Sequence, residues 1–505
     1  MNRQRTAGVI LHPTCLPSRF GIGDFGPTAA AYVEWLAGAG VAWWQVLPLH
    51  PPGPGNSPYS AISTFAGNEL LISPELLVED GLLTDGDVAE VPDFPREWVA
   101  FDQVVPYKVD LLRRAYERFR DDRPLGLIRQ LAVFRKNNIH WLSDYALFRA
   151  LRDARGGQAW YEWPRELALH EPEALLDWMQ AHPDAVDFVE FCQFLFFRQW
   201  TSLRDWAHEM GVRIFGDVPI FVAGDSADVW GRSELFLLDE ERRPTAVAGV
   251  PPDYFSETGQ LWGNPLYNWE KMAGDGYAWW VSRLRHVLEM VDLVRLDHFR
   301  GFAQYWEVPA DANTAVNGRW CPGPGRALFD ALKDALGDLP LVAEDLGEIT
   351  PDVVALRKEL GLPGMAILHF AFSPEPRSTF IPYALEPDLV VYTGTHDNNT
   401  TVGWFLEDAT EEERELVRRY TGGSDREIHW DLIKLALAAV SDMAVVPHQD
   451  LAGLGSDCRF NTPSVGQGNW QFRITPPMLA EGIQARLYDL IEVFGRMPDN
   501  ETENR

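Results

Sequence analysis

The sequence predicts an α/β fold, a (β/α)8 TIM barrel, from three observations. Eight short apolar runs end in polar residues or glycine. Stretches of helical periodicity separate most of them. No glycine-rich phosphate loop follows the first run, which disfavours the alternative, a doubly wound open sheet.

In order, the runs are GVILHP (Gly8–Pro13), VAWWQVLPLH (Val41–His50), VRIFGDVPIF (Val212–Phe221), LVRLDHF (Leu293–Phe299), LVAEDLG (Leu341–Gly347), MAILHFAF (Met365–Phe372), LVVYTGTHD (Leu389–Asp397) and MAVVPHQD (Met443–Asp450). Among the helical stretches, PDVVALRKELG has Thr350 placed as N-cap, Pro351 at the first helical position and Gly361 as its stop. PGRALFDALKDALG repeats apolar residues at three- and four-residue steps. The span between the second and third runs is mostly helix-like: VDLLRRAYERFR, LIRQLAVFRKNN, DYALFRALRDARG, and then VEFCQFLFFRQWTSLRDWAHEMG, which returns to the barrel before strand three. The expected organisation is barrel strands 1 and 2 in 1–69, a mainly helical insertion in 70–185, the rest of the barrel in 186–498 with a lid loop at 247–269, and a frayed tail at 499–505. The last run is followed by one helical stretch, so no C-terminal β-sandwich is expected.

Composition narrows the partners. A formal net charge of -30 argues against nucleic acid and anionic membranes, which need basic patches, and fits a neutral ligand. Twenty Trp residues supply flat rings for the core and for flat apolar ligand faces. Cys15, Cys192, Cys321 and Cys458 form no CxxC pair, so no disulfide framework or zinc site is implied and a reducing cytoplasm fits. Neither a signal peptide nor an apolar membrane span is visible. The expected assembly is a monomer or a weak homodimer.

A barrel of this kind carries its reacting groups at the C-terminal ends of its strands. Three runs carry the candidate acids near their ends: Asp297, Glu344 followed by Asp345, and Asp397. Strand side chains repeat their direction every second residue, so Arg295 and Asp297 share a face, taken to point inward. Three converging carboxylates beside histidines suit either a hard metal ion or glycoside chemistry, in which one carboxylate attacks the anomeric carbon and a protonated one serves the leaving oxygen. Capping and solvation are the ordinary uses of such acids. No HxH or HxxxH pair is present and nothing basic and glycine-rich offers phosphate contacts, so neither a metal nor another cofactor is expected.

The motifs SPYSAISTFAGN, GDVPIFVAGDSADVW, GVPPDYFSETGQLWGNPLYNW, LVRLDHFRGF, LVAEDLG and YTGTHDNNTT span nearly the whole chain. Together they resemble the amylomaltases, the 4-α-glucanotransferases of glycoside hydrolase family 77. The resemblance implies Asp297 as nucleophile, Glu344 as general acid/base and Asp397 as transition-state stabiliser. The family, not strand parity, selects Glu344 over Asp345. It further implies that Arg295, His298 and His396 bind the sugar in the cleaved subsite, with Asp217 supporting them or serving a purely structural hydrogen bond. Asp253, Tyr254, Phe255, Trp262 and Asn264 belong to the expected lid, which would cover the cleft and hold the acceptor. Tyr59 would stack on a glucose face unless it is a core tyrosine, and Asn469 would reach the cleft from the C-terminal end. The implied ligands are α-1,4-glucans and maltooligosaccharides. Two positions depart from the pattern, since an acid is expected at Asn399 and an aspartate at Asn56; Phe101 stands where an outer glucan-binding aromatic is expected in some relatives. Three readings follow: a retaining glucan transferase working through a glycosyl-enzyme, a starch or maltodextrin hydrolase with the same acids, and a non-catalytic glucan binder.

Overall fold

The computed structural model of the chain describes residues 4–252, 256–347, 349–374 and 378–498. Each expected run carries one strand of an eight-stranded parallel barrel. The strands are β1 (Thr6–Ile10), β2 (Trp43–Gln45), β3 (Arg213–Pro219), β4 (Leu293–Asp297), β5 (Leu341–Ala343), β6 (Gly364–Ile367), β7 (Leu389–Tyr392) and β8 (Met443–Pro447). Ladders join β6 through β7, β8, β1, β2, β3 and β4 to β5, so neighbours in sequence are neighbours in the ring.

The ring closes between β5 and β6 without a strand ladder among the described residues. The Ala343 N–H donates to the Pro363 carbonyl at 2.9 Å. One residue past β5's neighbour Glu344, the Asp345 carboxylate takes the place of a ladder acceptor: its Oδ1 accepts from the Met365 N–H at 2.8 Å. Arg357 lies 3.0 Å from Oδ2. This approach needs a glycine opposite, because a Cβ on Gly364 would lie 2.6 Å from Oδ2.

Two apolar cores follow from the two strand faces. Ile10, Leu47, Phe215, Val342, Met365 and Tyr392 fill the barrel, together with residues of β7 and β8. The opposite faces, including Val294, Leu296 and Ala343, belong to the larger core between strands and helices. Pro351–Leu360 is helical, with Thr350 at the N-cap position, where its hydroxyl makes no capping bond to the helix backbone, and Gly361 left-handed at its end. Arg326–Leu336 is likewise helical. Two of the helical stretches expected in the insertion merge into one helix, Leu125–Ala154, beside Phe101–Asp122. The helix Pro183–Glu209 leads into β3, and its Gln193 and Gln199 each exchange two hydrogen bonds with the backbone of Gly67 and Ser73, fixing the segment behind β2. No helix among the described residues is long and apolar enough to cross a membrane.

The stretch 247–269 differs from the expected lid loop. Ala246–Val250 and Gln260–Pro265 are paired antiparallel strands of a second, four-stranded sheet completed by Gln304–Pro309 and Arg319–Pro322. The strands are short and interrupted by Gly249 and Gly263, and two of the partners lie farther along the chain, so no local pattern marks the pairing.

Asp345→Ala removes a seam acceptor and leaves the buried Arg357 without its counter-ion. We expect a loss of about 3 kcal/mol, measured as a lower denaturant midpoint at unchanged slope. A loss below about 1 kcal/mol would show that the backbone alone closes the ring.

Candidate active site

The C-terminal mouth of the barrel opens into a cleft of about 970 Å³, which Asp297, Glu344 and Asp397 all line. Asp297 ends β4, and inward-facing Leu293 fixes the parity that turns Arg295 and Asp297 the same way. Register pairs Arg295 with Asp217 on β3. The Arg295 guanidinium, almost fully buried, donates from Nε to Asp217 Oδ2 at 2.9 Å and from Nη2 to Asp297 Oδ1 at 2.7 Å. Burial pushes the Asp217 carboxyl up, opposed by Arg295 and by the Tyr59 hydroxyl, which donates to Oδ2 at 2.7 Å. Asp217 therefore lies beneath the cleft as the counter-ion of Arg295.

Glu344 follows β5. Val342 faces the barrel interior, so two residues later Glu344 faces inward too, while Asp345 turns to the seam. Strand parity thus separates the two acids. The Leu296 carbonyl accepts from the Glu344 N–H at 3.0 Å, which holds the end of β5 alongside that of β4. The Glu344 carboxyl accepts from the His298 N–H at 2.8 Å and the Leu346 N–H at 3.0 Å. His298 adopts φ 52°, a left-handed turn at the strand exit that aims its N–H at Glu344. Burial and the neighbouring Asp297 charge push Glu344 up to about 8, against Arg295 and the two N–H groups.

Asp397 lies beyond the end of β7, its side chain 48% exposed to the cleft. His396 Nε2 stands 3.3 Å from Oδ2, and the Asn461 amide donates to Oδ1 at 2.7 Å. The cleft walls would raise this carboxyl; His396, Asn461 and Arg295 together hold it well below the usual carboxylate range. Tyr59 stacks on His396 with ring centroids 4.9 Å apart and planes 12° from parallel, so one of its faces is occupied by protein. Burial pushes His298 down to about 4, aided by Arg300 and opposed by Asp297, which makes it a neutral imidazole. Trp262, on the second sheet, sets its ring edge-to-face against His298 at 4.7 Å.

The structure brings Tyr59, Trp262, Arg295, His298 and His396 into the cleft lining with the three acids. It does not bring Asn264 or Asn469 there. Asn264 donates to the Val222 carbonyl at 2.8 Å and ties the second sheet to the loop after β3. Asn469 spends its amide on the backbone of Thr462 and Val465, bracing the loop after β8. Asp253, Tyr254 and Phe255 lie outside the described residues. Phe101 is buried at the start of its helix, beside a small cavity that also touches Asn56 and Trp470. Sequence reasoning missed Asn461, Trp470 and Arg300, whose guanidinium lies 3.8 Å over Trp320 in the cleft wall. The RFNTP and GNW segments are rich in site-type residues, yet nothing in them signals proximity to Asp397. Among the described residues, no cluster of three or more His, Cys, Asp or Glu is placed to hold a metal ion.

The family model described as 4-alpha-glucanotransferase, glycoside hydrolase family 77, matches residues 11–479. The chain is 48% identical to the 4-alpha-glucanotransferase of Synechocystis sp., over 98% of both chains. It is 45% identical to that of Thermus thermophilus, over 98% of this chain and all of the relative. Its fold superposes on the amylomaltase from Streptococcus agalactiae in complex with acarbose with a TM-score of 0.95 at 36% identity, covering 98% of this chain and 100% of the other. On sequence, fold and the order of its strand-end acids, the chain belongs to the 4-α-glucanotransferases of glycoside hydrolase family 77.

Proposed function

We propose that the chain is a retaining 4-α-glucanotransferase. It moves α-1,4-glucan segments from a donor maltodextrin to the 4-hydroxyl of an acceptor glucan or glucose. The observation that carries this reading is a pair of unlike acids at adjoining strand ends: Glu344, pushed up to about 8, beside Asp297, ion-paired to Arg295. Register sets Asp297 and Glu344 side by side, each one residue past the paired Leu296 and Ala343, so both can reach one anomeric centre, as a nucleophile and acid/base pair must.

The roles follow from the chemistry. Asp297 attacks the anomeric carbon while the Glu344 proton passes to the leaving glycosidic oxygen. The bond to the leaving sugar breaks and a glycosyl ester forms on Asp297. Esterification removes the Asp297 charge, which is part of what raises Glu344. The second carboxylate is thereby made readier to stay ionised, and it takes the proton from the acceptor 4-hydroxyl as that oxygen attacks and frees Asp297. Asp397, with both oxygens held, offers acceptors to the sugar hydroxyls, a contact that strengthens as the transition state forms. A cleft of about 970 Å³ lies at the upper end of the usual ligand range and suits an oligosaccharide. The charge of -30 supports a neutral ligand. Transfer rather than hydrolysis requires that a bound hydroxyl outcompete water. Trp262, fixed above His298 on the second sheet, is placed to cover apolar sugar faces and exclude it.

Glu344→Gln given an α-maltosyl fluoride is expected to accumulate a glycosyl adduct on Asp297, seen by mass spectrometry. Asp297→Asn should form none and lose activity by ~10⁴ or more. Absence of the adduct in the first variant removes one of the two assignments.

The proton on Glu344 is needed for donor cleavage, so kcat/KM should fall as pH rises through about 8, following the raised carboxyl. A profile flat to pH 9 would contradict this.

Trp262→Ala should keep donor cleavage while the ratio of hydrolysis to transfer rises roughly tenfold, as expected for a lost contact of ~1.4 kcal/mol to the acceptor. Reducing ends measured against oligomer redistribution report the ratio. If both rates fall together, Trp262 serves the donor instead.

A further inference from the structure

Asp397 stands on a loop, half-exposed, with no strand ladder to orient it. A carboxylate in that position, left to itself, samples several rotamers. The loop after β8 prevents this by a closed ring of three hydrogen bonds. Arg459 Nη2 donates to the Asp397 backbone carbonyl at 3.0 Å. Arg459 Nε donates to the Asn461 carbonyl at 2.6 Å. The Asn461 amide completes the ring at Asp397 Oδ1, 2.7 Å away. His396 faces the other carboxylate oxygen. The ring is supported from both sides. Asn469 accepts from the Thr462 N–H at 2.9 Å, and Trp470 donates its N–H to the Phe460 carbonyl at 2.7 Å. At a second point Asn399 donates to Ser456 Oγ at 3.0 Å, joining the same two segments.

We propose that Arg459 and Asn461 are positioning residues for Asp397: their hydrogen-bonded ring sets the direction of its carboxylate toward the sugar held between Asp297 and Glu344. This rests on the role given to Asp397 above. Both residues act through Asp397: Arg459 grips its main chain and Asn461 its side chain. The loop 459–470 is on this account part of the reaction machinery. Misplacement of a reacting group by about 1 Å can cost roughly 100-fold in rate, so the ring is expected to govern turnover more than affinity.

The test is maltotriose disproportionation by the full chain, with thermal midpoints measured alongside. Asn461→Ala should lower kcat roughly 10- to 100-fold with KM changed less than about twofold and the fold intact. Asn461→Asp supplies a readout that a structural role would not move. The groups facing the introduced acid are Asp397, His396 and Arg459, with Arg295 and Asp408 beyond them. Near about pH 5 that acid shares a proton with Asp397 and can donate as the amide does, so kcat should recover toward wild type. Near about pH 7.5 both carboxyls ionise and repel, and kcat should drop to the Asn461→Ala level or below. Arg459→Lys, which keeps a donor for the Asp397 carbonyl and loses the link to Asn461, should lose kcat by an intermediate factor and serves if the first variant misfolds. Asn461→Ala or Arg459→Lys with wild-type kcat, or an Asn461→Asp loss that is the same at both pH values, overturns the proposal. Wild-type enzyme that gives no glucose and longer oligomers from maltotriose overturns the transferase reading instead.

Discussion

The buried Arg295 guanidinium is the interaction on which the site depends. Its two donors reach carboxylates on adjacent strands, one below the cleft and one at its floor. From Asp217 the contacts continue to the Tyr59 hydroxyl, through the Tyr59 ring to His396, and from His396 to Asp397. A single cation at the barrel's throat thereby connects two strands, the segments that follow β2 and β7, and two of the three acids. Glu344 is treated differently. Its carboxyl meets backbone N–H groups, while Arg295 acts on it from farther away. The contrast between acids with a charged or imidazole partner and an acid among peptide dipoles is the physical basis of the proposed division between attack and stabilisation on one side and proton transfer on the other.

Much of this was legible in the sequence. Buried parallel strands are apolar on both faces, so eight such runs separated by helices identified the barrel. Acids at the ends of those runs marked the candidate site, and Asp297, Glu344 and Asp397 do meet in one cleft, while Asp345 at a run's end serves the barrel seam instead. The same double-faced apolarity hid the choice between Glu344 and Asp345. In LVA both faces are apolar, and only the packing of Val342 inside and Ala343 outside reveals the parity. The second sheet was illegible because its partners are remote in sequence. Asn264 and Asn469 illustrate a further limit: a motif shows that an amide is present, not that the backbone has already consumed its hydrogen bonds.

The departures from the family pattern have local explanations. Asn399 is buried and turned from the cleft, donating to Asp408 at 3.0 Å as well as to Ser456, and accepting from the Thr400 N–H. A carboxylate in its place would face Asp408 with no proton between them, so the neutral amide fits this neighbourhood. Asn56 adopts φ 59°, a left-handed conformation that asparagine tolerates better than most residues.

The topology also sets when activity can arise during synthesis. β1, Thr6–Ile10, pairs on one side with Met443–Pro447, so its edge stays open until that distant segment has been made. Until then an apolar strand with unpaired backbone groups is exposed to other chains, the usual hazard of an unprotected edge. The residues that grip Asp397 follow later still, at 459 and 461. A nascent or truncated form that stops between Asp397 and Arg459 has all three acids but lacks the residues that grip Asp397. Closure of the ring and completion of the cleft therefore wait on the same C-terminal segment, which ties the finished fold and the finished site to one late event.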